Sequence, residues 1–140
     1  MIRKFNIDEL ETVMKIWLET NIVAHVFISE DYWQGNYEQV KMMLPDATVF
    51  VYEENNLILG FIGLTENYIA GIFIDTNSQS KGIGKVLLDY VKKCHSELLL
   101  QVYKKNSRAV RFYLREGFVV SNEQIDKNTG EAELVMNWTK

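Results

Sequence analysis

Apolar residues recur along the chain with two periods, and the switches between them mark its elements. Ile2 to Phe5 reads as a short first strand. Leu10, Val13, Met14 and Trp17 then fall at helical spacing, with Ile16 and Leu18 widening the face, so a helix is expected to about Thr20. Asn6 or Asp8 can cap it, and Glu9 and Glu11 suit the positive end of its dipole. Asn21 to Ser29 is a connection containing Ala24-His25-Val26-Phe27. Glu30 to Leu44 forms a second helix carrying Tyr32, Trp33, Tyr37, Val40, Met43 and Leu44, and Pro45 stops it.

The period then shortens to two. Thr48 to Glu53 and Leu57 to Thr65 read as strands of a hairpin about Glu54-Asn55-Asn56. Gly60 and Gly63 suggest a bulge or a close backbone approach. Glu66-Asn67 turns the chain into a third strand, Ile69 to Ile74, completing an antiparallel meander. From Gly82 the helical period returns, with Ile83, Val86, Leu87, Tyr90, Val91 and Cys94 on one stripe. Leu98-Leu99-Leu100-Gln101-Val102 is a continuous apolar run, the pattern of a strand buried on both faces. Strand, helix and strand in that order predict a parallel, right-handed crossover. Asn106 or Ser107 caps a further helix with Ala109, Val110, Phe112 and Tyr113 on its apolar face, and Gly117 ends it. Phe118 to Val120 and Ala132 to Trp138 read as the last strands, with Lys127 to Gly130 as the turn. The fold class is α/β of the α+β type: a mixed, mostly antiparallel central sheet flanked by about four helices, in one domain over residues 1–140.

Composition narrows the function classes. The 140 residues are 47% hydrophobic and 24% charged, with a formal net charge of −4. That balance fits a globular domain and lacks the basic excess of a non-specific nucleic-acid binder. Cys94 is the only cysteine, so no internal disulfide and no cysteine-rich metal site is expected, and a reducing, cytoplasmic setting follows. Met1 to Asn6 shows no secretory apolar region, and no stretch is long enough to span a membrane.

The candidate chemistry lies in Ile72 to Lys85. A strand runs through small polar residues into Gln79-Ser80-Lys81-Gly82-Ile83-Gly84, and a helix starts at once. Such a junction aims successive backbone N–H groups at an anion. Taken alone, Gly82 and Gly84 could equally serve close helix–sheet packing. The Ser/Thr of the longer phosphate loop is missing after Lys85, as is the third glycine of the dinucleotide fingerprint.

Further along, Asn106-Ser107-Arg108-Ala109-Val110-Arg111-Phe112-Tyr113-Leu114-Arg115-Glu116-Gly117-Phe118 has the form Asn-x-x-Ala-x-x-Phe-Tyr-x-x-x-Gly-Phe. With Gln-x-x-Gly-x-Gly upstream, the chain closely resembles the GNAT superfamily of acetyl-CoA-dependent N-acetyltransferases, most nearly its small bacterial members that acetylate protein lysines. The motifs span Ile72 to Phe118. The resemblance implies acetyl-CoA as co-substrate and residue roles to go with it. Main-chain groups of Ile72, Phe73 and Ile74 would pair with the pantetheine arm. Backbone N–H groups of Ser80, Lys81, Gly82, Ile83, Gly84 and Lys85 would hold the pyrophosphate. Gln79 stands where the family usually has Arg. Asn106 would bond the cofactor arm, and Tyr113 would be the general acid. The family also implies a slot where the strand before the glycine turn splays from Leu98–Val102.

A lysine amine has a reference pKa near 10.4, so presenting it neutral at pH 7 costs about 4.6 kcal/mol. A base or a pKa-lowering pocket is needed. Attack builds an oxyanion that a backbone N–H such as Ile74's can stabilise, and the leaving thiolate wants a proton. Glu66, at the hairpin turn, is the leading candidate for the base, with His25 and Asp75 as others. His25, Trp33 and Tyr103 are expected to line the acceptor side, although Trp33 suits the core equally. The expected function is acetyl transfer to a primary amine, a protein or peptide lysine first and a small-molecule amine second. A non-catalytic acyl-CoA-binding or sensing module is the reading from another class. Neither the acceptor nor an oligomeric state is written in these residues.

Overall fold

The computed structural model describes all residues, Met1–Lys140. In chain order the strands and helices are β1 (Ile2–Lys4), α1 (Leu10–Ala24), α2 (Glu30–Met43), β2 (Thr48–Glu54), β3 (Leu57–Thr65), β4 (Tyr68–Ile74), α3 (Ile83–Lys92), β5 (Glu97–Tyr103), α4 (Ser107–Arg115), β6 (Val119–Ile125) and β7 (Ala132–Thr139). The strands form one sheet in the order β1-β2-β3-β4-β5-β7-β6. Only β4 and β5 run parallel. The mixed, mostly antiparallel sheet and the four α-helices match the sequence expectation.

Local chemistry sets the boundaries. Asn6 and Glu9 form a reciprocal capping box around a 3-10 turn that leads into α1. Ser29 caps α2 by accepting from the Asp31 N–H. Asn55 and Asn56 both take positive φ, which closes the β2–β3 hairpin in two residues. Arg3 on β1 donates to Glu9 and to Glu53, tying the first strand to the helix entry and to β2. One difference lies in α1, which continues one turn past Thr20 to Ala24. Asn21 and His25 sustain that turn by returning side-chain bonds to the carbonyls of Trp17 and Asn21.

The two sheet faces carry separate cores. α3 and α4 pack on one face, where Ile62, Leu64, Ile69, Leu98, Leu100 and Met136 meet Leu87, Leu88 and Phe118. α1 and α2 cover the other face over β2, β3 and β4, where Val49, Val51 and Phe61 meet Val13, Met14, Trp17 and Trp33. β5 corrects an expectation. Leu98, Leu100 and Val102 are buried, but Leu99 is half-buried and Gln101 is exposed. The α1–α2 layer stops short of β5, so its second face stays open and its apolar run is buried on one side only.

Candidate active site

The sheet comes apart where β4 meets β5. Their pairing covers only Tyr68 with Leu99 and Ile69 with Leu100, after which the strands separate. Across β4's other edge, the register places Gly71 opposite Gly63 and Leu64 opposite Ile69, so Ala70 is an extra residue that bends β4. Antiparallel ladders alternate, and the Asp75 N–H donates to the Leu59 carbonyl. In that phase Phe73 turns its N–H and C=O towards β3. Ile72 and Ile74 turn theirs towards the gap. The expected pairing with an extended ligand therefore falls to Ile72 and Ile74. Phe73 contributes its side chain, stacked on Phe61 at a centroid distance of 4.8 Å.

The gap opens into a cleft of about 780 Å³. Ile72, Phe73, Ile74, Gln79, Ser80, Gly82, Gly84, Lys85, Asn106, Tyr113 and His25 all line it, which unites most of the residues singled out from sequence. The glycine turn is built by backbone conformation. Ser80 has φ +66° and Gly82, the N-cap of α3, has φ +82°, a region that favours glycine. A Cβ at Gly82 would meet nothing within 4 Å, which leaves room for a ligand above the α3 N-terminus. Gln79 donates to the Ile74 carbonyl at 3.1 Å.

Arg108, which sequence reasoning passed over, reaches back from α4 to Gln79 Oε1 and Ser80 Oγ, both at 2.8 Å. A guanidinium therefore lies at the turn even though Gln79 replaces the usual arginine. The cationic lining residues are Lys85, Lys105, Arg108, Arg111 and Arg115, and Glu116 is the single acid. A polyphosphate fits such a lining in an otherwise acidic chain. Lys85 is already paired with Asp89 and Glu116, which raise its pKa. The signal for Arg108 was its position, two residues after the helix-capping Asn106 and so in the first turn of α4.

Tyr113 is 7% exposed and packs against Phe112 and Phe118. The residue lines the cleft. Burial pushes its pKa well above the ordinary phenol value, with the neighbouring Tyr68 adding to the shift.

On the opposite wall stands His25, in the α1–α2 loop. It stacks on Trp33 at 5.0 Å and meets Phe27 and Tyr103 edge-on at 5.7 and 5.3 Å. Its Nδ1 lies 2.9 Å from the Asn21 carbonyl, and its Nε2 lies 3.2 Å from Asn106 Nδ2. Burial lowers its pKa. Asn106 also accepts from the Ala109 N–H, capping α4.

The remaining residues fall elsewhere. Lys81 is exposed outside the cleft, and the Ile83 side chain is in the core, so only their backbones can serve an anion there. Trp33 lies behind His25, edge-on to Trp17 at 6.0 Å, with its Nε1 buried and unpartnered. Helical spacing turns Trp33 towards α1, so it shapes the wall without lining the cleft. Tyr103 donates its hydroxyl to Asp126 in the β6–β7 connection. Asp75 accepts from the Asn77 N–H as a turn residue. Glu66 is separated from the cleft. It is exposed in the β3–β4 turn with φ +56°, while Ile74 lies at the far end of β4, roughly 25 Å of extended chain away. Asn21 completes the other side, holding His25 through its carbonyl.

Comparison with known proteins bears on this arrangement. The family model for the acetyltransferase (GNAT) domain matches residues 19–138. A peptidyl-lysine N-acetyltransferase of Escherichia coli, YiaC, is 34% identical over 99% of this chain and 96% of its own. The Escherichia coli peptidyl-lysine N-acetyltransferase YjaB is 28% identical over 97% of this chain and 93% of its own. The solution structure of apo YjaB superposes with a TM-score of 0.87 over 99% of this chain and 96% of that one.

Proposed function

The chain belongs to the GNAT acetyltransferase family, and from that premise we propose that it transfers the acetyl group of acetyl-CoA to the side-chain amine of a lysine in a protein or peptide. The observation that carries this reading is the unpaired edge of β4 beside the phosphate turn. Ile72 turns its N–H and C=O to that edge and Ile74 its N–H, while the Ile74 carbonyl accepts from Gln79, and an extended amide-bearing arm can add to these groups as a strand adds to a sheet. The α3 N-terminus, with Arg108 over Gln79 and Ser80, receives the phosphates.

In this reading the acceptor enters from the side of His25 and Phe27, where the second face of β5 is open. The thioester lies between the amine and Tyr113. A free N–H of β4, at Ile72 or Ile74, stabilises the oxyanion, and the Tyr113 phenol protonates the departing sulfur. Holding both reactants in one slot supplies much of the acceleration. The lysine acceptor is supported by the similarity to YiaC and YjaB, both peptidyl-lysine N-acetyltransferases. With Cys94 as its single cysteine, the protein suits a reducing cytoplasm.

Thiol release from acetyl-CoA, measured against lysine peptides and a panel of small amines, tests the proposal. Lysine peptides are expected to turn over fastest. Turnover confined to small amines would move the acceptor to that class. Acetyl-CoA binding with no thiol release from any amine would make the protein a sensing module.

A further inference from the structure

The α1 C-terminus, His25 and the α4 N-terminus are joined by one chain of hydrogen bonds. A carbonyl oxygen can only accept, so the His25 nitrogen 2.9 Å from the Asn21 carbonyl must carry its proton. That fixes the tautomer with Nδ1–H. In the neutral ring Nε2 then holds a lone pair. The Asn106 Nδ2–H group faces that lone pair at 3.2 Å, and its own orientation is set because Oδ1 accepts from the Ala109 N–H. The chain is directional from end to end. Asn21, His25, Asn106 and Ala109 all line the cavity, and the bond from Asn106 to His25 Nε2 is the one that occupies the ring's basic nitrogen.

We propose that His25 is the general base of the transfer, and that Asn106 covers its Nε2 until the cleft is occupied. The inference rests on the acetyl-transfer reading above and adds to it the identity of the base. The bookkeeping of protons is closed. The lysine ammonium first gives one proton to solvent; the neutral amine then attacks the thioester carbonyl, forming the C–N bond, and the nitrogen becomes strongly acidic as it does so. Its proton passes to His25 Nε2. The C–S bond breaks, and the sulfur takes the Tyr113 phenol proton. The imidazolium then returns a proton to the phenolate through solvent, leaving amide, free thiol and both residues restored.

Geometry favours His25 over the acids considered from sequence. Glu66 is at the wrong end of β4, and Asp75 is spent on its turn. The surroundings keep the ring neutral. Trp33 from α2, Phe27 from the loop and Tyr103 from β5 enclose it. The charged groups in contact with the enclosing rings are already paired: Asp126 with the Tyr103 hydroxyl, and Lys105 with Glu131 while resting over Phe27. The bond from Asn106 stabilises the uncharged ring as well.

The test compares wild type, His25→Gln and Asn106→Ala. Wild-type kcat/KM should fall on the acid side with a midpoint below the ordinary histidine value. His25→Gln should bind acetyl-CoA within about twofold of wild type, lose at least about a hundredfold in kcat/KM and lose the acid limb. Asn106→Ala should shift the limb to higher pH, because the neutral ring loses its donor. Turnover of His25→Gln within about threefold of wild type, or a surviving acid limb, overturns the base assignment alone. An unmoved limb in Asn106→Ala overturns the cover. Absence of thiol release from wild type removes the parent reading with it. Nitrogen-15 NMR of wild type, with His95 assigned through His95→Gln, supplies a readout that needs no His25 variant. An Nδ1–H ring with bare Nε2 is expected, and an Nε2–H ring would overturn the proposal.

Discussion

Tyr113 is both a packing residue and, in the proposed reaction, the proton donor. Its ring packs between Phe112 and Phe118, and the residue lines the cleft. Burial raises its pKa, so the phenol stays protonated throughout the neutral range and is always available as a donor. Tyr113→Phe keeps the ring and removes only the proton. It is expected to bind acetyl-CoA as wild type does and to lose about a hundredfold in kcat, read by calorimetry and thiol release. Unchanged kcat would confine Tyr113 to packing. Sequence reached Tyr113, Asn106 and Gly82 because each sits in a local motif. It did not reach Arg108 as a partner of Gln79 and Ser80 or Asn21 as the holder of His25, because their partners are set by the approach of α4 to the glycine turn and by one further turn of α1. Glu66 misled for the same reason: its place in the turn was legible, but the end of β4 at which the sheet opens was not.

At the scale of elements, the α3 entry and the α4 entry face each other across the cleft, and each is shaped for a different task. A Cβ at Gly84 would sit 3.6 Å from the Phe112 ring, an ordinary contact, so alanine there fits without displacing α4. Gly84→Ala should therefore change stability by no more than about 1 kcal/mol, with alanine's better helix propensity in its favour. Gly84→Glu puts a carboxylate beside the phosphate turn. It should abolish acetyl-CoA binding while leaving the circular dichroism spectrum intact, and binding equal to wild type would place the phosphates elsewhere. Strands and helices were legible almost throughout because hydrophobic periods and capping residues act locally. The coverage of β5 was not, since Leu98 to Val102 reads alike whether one face is covered or two. That is decided by how far α1 and α2 extend over the sheet.

For the whole molecule, the titrations point in one direction on the acid side. His25 has a folded pKa below its unfolded value of about 6.5, because burial disfavours the imidazolium. Below that pH the unfolded chain binds the additional proton, so stability is lost as pH falls through the folded value. Glu9 is also lowered, chiefly by its bond from Arg3, and adds a second loss further down as its carboxylate protonates. Tm should therefore decline in two stages between pH 7 and pH 3. His25→Gln should remove the upper stage and leave the lower one, and an undiminished upper stage would assign it to other groups. No helix is long and apolar enough to cross a membrane.

The short seam between β4 and β5 has a consequence for motion. Two residue pairs join strands that otherwise diverge, so the meander β1–β4 and the β5–β7 unit share little backbone ladder there. Amides without ladder partners exchange with deuterated solvent far sooner than their neighbours. Ile72 and Ile74 should be early exchangers in the free protein, flanked by slow Gly71 and Phe73 bonded to β3. Acetyl-CoA should invert that contrast by supplying the absent edge, and slow exchange at Ile72 and Ile74 without ligand would mean the seam is already closed. The enzyme would then breathe along the line on which it reacts, and its co-substrate would be the suture.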